Sequence, residues 1–325
     1  MRVLTLRPGH CERQRYKQIT VNEFELIRRF FTREVTTPGV IVGIGDDGAI
    51  LAPASGRDQV QVIDTLVEGE HFPGDSNASD IGYRVVAVNL SDIAAMGARP
   101  RWMTLALTLP PKDEQWLSDF ASGLFEAADE YDVALVGGDT TRGECVVATI
   151  HITGDVEAGK GLLRSGANAG DTIFVTGTVG DAAAGLELLR RGEPEDILVR
   201  RFLRPSARID TGCDLVGRAS AVIDVSDGLL GDLKKLLDAS GVGGEIDVER
   251  VPLSAAMKAQ FDEDSRAQFA LLGGDDYELC FTARPEAVAG IENITAIGKV
   301  TGETGLVCRH NGNVVDYDDS GYRHF

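Results

Sequence analysis

Apolar and polar residues alternate along this chain in two rhythms. From "EFELIRRFF" at Glu23–Phe31 onward, short β-branched runs of strand type are interleaved with stretches of helical period, a succession that predicts an α/β or α+β arrangement. A first block extends to "VVATIHITGDV", ending in a β-branched run, and a second begins near "RSGANAGDTIFVTGTVGDAAAGLELL", where strand, glycine turn and helix follow in order. Residues 1–20 are polar and carry no motif. The expected division is an extension over 1–20, an N-terminal domain over 21–155 and a C-terminal domain over 156–325, since 325 residues suffice for two ordinary cores.

The clearest helical stretch is "SDIGYRVVAVNLSDIAAMG", with Ser79 as the expected N-cap and Gly97 as the stop. Ile81, Val85, Val88, Asp92 and Ala95 fall on one stripe, which puts Asp92 on an otherwise apolar, inward face. A lone buried carboxylate is costly unless it meets a cation or several donors, so Asp92 is read as a metal ligand in preference to a backbone-bonded residue. Other acids also sit at the ends of apolar runs: Asp47 after "VIVGIG", Asp64 in "VQVIDTLVEGEHF" with His71 beyond it, and Asp139 in "VALVGGDTTRG" after two glycines. Asp224 ends the strand of "SAVIDVSDGLLGDL", where Ser226 and Asp227 precede a helix and N-capping is an even alternative for that pair. "LLGGDDYELCFT" adds Asp275, Asp276 and Glu278. Together these acids predict a multi-cation phosphate site, because Mg²⁺ takes a few carboxylates and fills its shell with water and phosphate oxygens.

"GIGDDGAIL" also fits the G-x-G-x-x-G spacing of dinucleotide loops. Two carboxylates between the glycines would repel a pyrophosphate, so the stretch is expected to hold metal on a tight turn. The turn in "VTGTVGDAAAG" resembles a phosphate loop as well, with tight strand-to-helix packing an equal explanation. No G-x-x-x-x-G-K-[ST] occurs.

Charge narrows the partners. Thirty-two basic against 51 acidic residues give a net charge of −19, which opposes nonspecific binding to nucleic acid or an anionic membrane. Anionic substrates would then approach with metal ions. Five dispersed cysteines without a C-x-x-C pair predict reduced thiols in a cytoplasmic protein, and neither a signal peptide nor a membrane-spanning run is expected.

Seven segments, "GIGDDGAIL", "DTLVEGEHF", "NLSDIAAMGARP", "GGDTTRG", "LLRSGA", "DVSDGLLGDL" and "GGDDYELCFT", occur in the order found in thiamine-monophosphate kinases, and the chain resembles that family from "EFELI" to "GYRHF". These kinases lie within the superfamily that includes aminoimidazole ribonucleotide synthetase. The resemblance implies a two-domain fold of that type, each domain a mixed sheet with flanking helices. It also implies ATP-dependent phosphorylation of thiamine monophosphate to thiamine diphosphate, several Mg²⁺ ions, and a homodimer paired through its N-terminal sheets with each active site in a cleft between domains. By motif, Asp47, Asp64, Asp92, Asp139, Asp224 and Asp227 match metal positions. Gly138, Asp139, Arg164 and Ser226 match ATP contacts, while His71, Asp275 and Tyr322 match positions near the thiamine phosphate. The chain has Val62 and Ile63 where the family often has Ser-Thr, and Asp275 where it often has Glu. No general base is assigned, since a phosphate monoester already presents an anionic oxygen near neutral pH.

Two alternatives stay open. One is another ATP-dependent kinase or synthetase of the superfamily, although "GHCERQRYK" lacks the glycine-lysine setting of a selenophosphate synthetase cysteine and "GYRHF" is not the cysteine-bearing tail of a hydrogenase-maturation relative. The other is a nonenzymatic Mg-nucleotide-binding regulator.

Overall fold

The computed structural model describes residues 23–194 and 196–317. They divide into two compact units, the first made of the described residues up to Asn89 with Pro100–Asp155, the second of Leu90–Arg99 with the described residues from Val156 onward. The expectations for residues 1–20 and for Tyr322 lie outside the described residues.

The first unit opens with α1 (Glu23–Leu26), which runs into a π-helical turn over Ile27–Phe31. An antiparallel hairpin of β1 (Val40–Val42) and β2 (Ile50–Leu51) follows. Then come β3 (Arg57–Val67), α2 (Ala78–Ala95), β4 (Arg99–Leu109), α3 (Glu114–Glu130), β5 (Ala134–Arg142) and β6 (Val147–Glu157). The sheet order is β3-β6-β4-β5, and β4 and β5 are parallel. Parallel neighbours need a crossover, which α3 supplies. Asp113 starts that helix by accepting the Trp116 N–H at 2.8 Å, and Leu117, Phe120, Leu124 and Ala127 form its buried stripe.

Two details of α2 depart from the sequence expectation. Ser79 is not the cap: the helix begins at Ala78, and the Asn77 carbonyl accepts the first helical bond from the Ile81 N–H at 3.1 Å. Every residue from Ile81 through Ser91 is buried, so the apolar stripe does not single out one inward face. Gly97 does end the helix. At φ +67° it donates to the Ala94 carbonyl while Ala98 donates to that of Ile93, the paired bonds of a Schellman stop.

In the second unit the strand–turn–helix expected from "DTIFVTGTVGDAAAGLELL" is β7 (Thr172–Thr176) and α4 (Asp181–Arg190). The chain continues through α5 (Ile197–Leu203), α6 (Ile209–Leu215), β8 (Ala221–Val225), α7 (Leu229–Ser240), β9 (Gly243–Asp247), α8 (Ala255–Gln260) and α9 (Glu263–Leu272). It closes with β10 (Glu278–Ala283), β11 (Ile294–Thr301), β12 (Gly305–His310) and β13 (Asn313–Val315). Among the described residues these strands form one sheet ordered β13-β12-β9-β11-β7-β10-β8. It is mixed, because β9 and β12 run parallel while β7, β8 and β11 are antiparallel to their neighbours. Leu229, Leu233, Leu236 and Leu237 of α7 pack on its Ile173, Val175 and Ile223.

Glycine sets how closely α2 and α3 approach. A Cβ on Gly123 would stand 1.8 Å from the Ser79 carbonyl oxygen, and one on Gly82 would stand 2.0 Å from that of Phe120. Gly123→Ala is therefore expected to destabilise the protein by about 1–3 kcal/mol through overpacking, read as a lowered urea midpoint. Gly48→Ala, whose Cβ would meet nothing within 4 Å, should leave that midpoint in place.

Candidate functional site

In the first unit, the loop Gly43–Ala49 joins β1 to β2 and does not open a helix. "GIGDDG" thus has no helix N-terminus to offer a pyrophosphate. The Asp46 carboxylate accepts the Asp47 N–H at 2.9 Å, Gly45 takes φ +125°, and both aspartates are exposed. The loop borders a groove of about 580 Å³ that also meets Gly138 and Asp139, with Phe24, Ile27 and Phe31 on an apolar wall. Asp47, Gly138 and Asp139 are thereby brought together.

Gly137 and Gly138 do not follow the strand, as the sequence suggested, but lie within β5, where Asp139 pairs with Ala106. Gly138 adopts φ +155°, and a Cβ there would lie 2.0 Å from the Leu105 carbonyl oxygen. Only glycine lets the two strands close at that point.

Asp64 is placed apart from this groove. It stands inside β3, which continues to Val67, and β3 and β5 occupy opposite edges of the sheet. Three strand spacings, about 14 Å, separate those edges. His71 is held in its own loop, its Nδ1 accepting the Val67 N–H at 3.1 Å. In the neutral ring this leaves the proton on Nε2, as a donor.

The second unit gathers Asp92, Arg164, Asp224, Ser226, Asp227 and Asp275. Asp224 on β8 is 4% exposed and accepts the Ser91 hydroxyl at 2.9 Å. Burial pushes its carboxyl up to about 7, with the Asp92 and Asp232 carboxylates adding to the rise and the Ser91 hydrogen bond and the Arg164 charge opposing it. Ser226 and Asp227 follow on the turn into α7. Neither caps that helix: Gly228 occupies the cap position and no side chain bonds there. Their N–H groups both donate instead to Asp232 Oδ2, each at 2.9 Å. Asp275 is tied to the same turn by its N–H, which donates to the Ser226 carbonyl at 2.9 Å. Its φ of +71° is close to that of Tyr277, +54°, and the Tyr277 hydroxyl donates to its Oδ1 at 3.0 Å.

The remaining acids of "GGDDYELCFT" are structural. Asp276, 1% exposed, accepts the N–H groups of Gly180 at 2.5 Å and Ala182 at 3.3 Å. A carboxylate of the protein itself therefore sits on the turn into α4 that resembled a phosphate loop. Glu278, fully buried, is held by Thr176, Arg201 and Arg208.

Sequence inspection missed Ser91, Asp232 and Lys235. Asp232 was within reach of the argument used for Asp92, since it falls on the leucine stripe of α7 with Leu229, Leu233 and Leu236. Ser91 carries no such signal, and tertiary contact alone assigns it; Lys235 follows Asp232 by three residues on α7, a spacing that itself brings the two together. Among the described residues, no three His, Cys, Asp or Glu side chains form a group that could hold a metal ion. Apart from the Arg164 charge, the groups near Asp224 are nonetheless oxygen donors, and the half-buried Asp92 and the buried Asp232 add two carboxylates to it. That chemistry fits a hard divalent cation. Cys145, Cys213, Cys280 and Cys308 are thiols, and no helix among the described residues is long and apolar enough to cross a membrane.

Comparison with known proteins supplies the class first. Residues 45–156 match the N-terminal domain of AIR synthase related proteins and residues 168–311 match their C-terminal domain. The thiamine-monophosphate kinase of Salmonella typhimurium is 45% identical over 93% of this chain and 98% of its own. The crystal structure of that kinase from Stenotrophomonas maltophilia superposes with a TM-score of 0.82 at 40% identity, covering 92% of this chain and all of the other. AaThiL, solved in complex with AMPPCP and TMP, gives 0.76 at 33% identity, with 93% and 96% covered. The chain belongs to the thiamine-monophosphate kinase family.

Asp276 yields a pH prediction. Burial, its main influence, raises the carboxyl to about 8 against the pull of Gly180, Arg201 and Ala182, whereas an unfolded aspartate titrates near 4. The folded state holds this proton longer, so its contribution is complete below about pH 4 and is lost as the pH rises through about 8. Asp276→Asn should flatten that part of the stability profile, measured as the urea midpoint from pH 5 to 8.5.

Proposed function

We propose that this protein transfers the γ-phosphoryl group of ATP directly to thiamine monophosphate, giving thiamine diphosphate, with no phosphoenzyme. The observation that carries the reading is the pairing of buried Asp224 with Asp92 beside the Ser226–Asp227 turn and Asp275. A cluster of acids of this kind can receive phosphorylated molecules once cations reverse its field. The family membership and the AMPPCP and TMP bound to AaThiL point to the same pair of ligands.

Asp47, Asp64, Asp92, Asp139, Asp224 and Asp227 are the residues that would hold Mg²⁺, in a number of ions greater than one. Bound there, Mg²⁺ supplies positive charge to phosphate oxygens. Gly138, Asp139, Arg164 and Ser226 contact ATP, the Arg164 guanidinium neutralising charge that develops on the transferred group. His71, through Nε2–H, and Asp275, with Tyr322, receive thiamine monophosphate. Since the acceptor oxygen is already anionic, no side chain need take a proton before attack, and the residues act by placing and neutralising. The protein works in the cytoplasm as a homodimer paired through its N-terminal sheets. Support for the pairing comes from β3, an edge strand, and from Ile63 upon it, 63% exposed.

ADP release measured with thiamine monophosphate, free thiamine or no acceptor tests the reaction. ADP is expected with the monophosphate alone; release that ignores the acceptor overturns the reading, and no release from any mixture favours a regulator. Asp47→Asn and Asp227→Asn should each lower kcat by at least the ~10–100-fold that outer partners of a metal site typically cost, with wild-type circular dichroism. Ile63→Asp is expected to shift the species seen by sedimentation towards monomer.

A further inference from the structure

Asp232 lies in the first turn of α7, 1% exposed, and its carboxylate points back along the chain. Oδ2 accepts from both Ser226 and Asp227, each at 2.9 Å, while Oδ1 accepts from Lys235 Nζ at 2.8 Å. The same ammonium reaches Asp227 Oδ2 at 2.6 Å. An ordinary helix cap satisfies N–H groups of the helix's own first turn. Asp232 bonds N–H groups that precede the cap residue Gly228, outside the helix. A neutral side chain could accept those two bonds without the cost of burying a charge. The charge does more than cap, because it also keeps Lys235 against Asp227.

The turn is fixed from its other side as well. Gly274 packs so closely on it that a Cβ would come within 2.5 Å of the Ser226 carbonyl oxygen. Gly228 takes φ +109° and contributes no side chain. The peptide planes of Ser226 and Asp227 are thus set by one buried oxygen.

We propose that Asp232 is a positioning residue: by holding two consecutive N–H groups, with Lys235 as counter-ion, it aims the Ser226 hydroxyl and the Asp227 carboxylate at the Mg²⁺-bound polyphosphate. The identity of that ligand rests on the function proposed above. Asp232 touches no substrate and acts through the turn. Such partners of a metal site typically change metal affinity or activity by about 10–100-fold.

The test uses the full-length chain with Asp232→Asn, which keeps one acceptor oxygen, and Asp232→Ala, which keeps none. Binding of AMPPCP is followed by calorimetry across a Mg²⁺ series, beside kcat and the KM for thiamine monophosphate. For folded variants the Mg²⁺ concentration that half-saturates AMPPCP binding should rise about tenfold or more in Asp232→Ala and less in Asp232→Asn, with kcat falling in parallel and KM within about twofold. An unchanged Mg²⁺ dependence in folded Asp232→Ala overturns the proposal. Failure of both variants to fold also overturns it, because the carboxylate would then hold the domain and not the turn. A wild-type chain that binds Mg·AMPPCP yet releases no ADP with thiamine monophosphate refutes the kinase reading alone, and calorimetry still decides the role of Asp232.

Discussion

Burying negative charge in a chain of net charge −19 is the constraint on which the site depends. Each carboxylate taken out of water must find donors or a cation, and this protein meets that demand in different ways. Asp276 takes backbone N–H groups, and Glu278 takes two arginines and a threonine. Asp155 is clamped between Arg57 and Arg101. Asp224 has the neutral Ser91 hydroxyl, the Arg164 charge and two further carboxylates nearby. Glu278 and Asp155 meet cations within the protein, and Asp276 is held by backbone donors and keeps its proton to about pH 8; around Asp224 the Asp92 and Asp232 carboxylates outweigh the Arg164 charge, surroundings that favour added positive charge.

That distinction divides the "GGDDYELCFT" segment between scaffold and site over four residues. Asp276 and Glu278 are buried and bonded inward, which fixes the intervening backbone. Asp275 and Tyr277 then take positive φ values, a strained conformation that persists only where the surroundings over-determine it. The rigid pair supports the displayed residue. Asp232 stands in the same relation to Asp227, and Gly138 to Asp139, where the contact with Leu105 excludes any side chain.

The groove beside Asp47 and Asp139 follows another route. Its acids are exposed and gathered by a loop and the interior of β5, while the π-helical turn over Ile27–Phe31 supplies apolar wall. An exposed carboxylate costs little to keep, so nothing in its own energetics marks it; only its neighbours in space do.

Much of this was legible in the sequence. The order of strands and helices, the stop at Gly97 and the place of Asp224 near the end of a strand follow from local periodicity and backbone sterics, which act over a few residues. Seven motifs in order named the family. Tertiary structure decided the rest. It drew Asp275 to the Ser226 turn, set Asp64 on the edge opposite Asp139, and sorted Asp276 and Glu278 into anchors. Whether a carboxylate anchors or waits for a cation depends on which donors arrive from strands and helices distant in the chain, and a linear pattern does not encode that arrival.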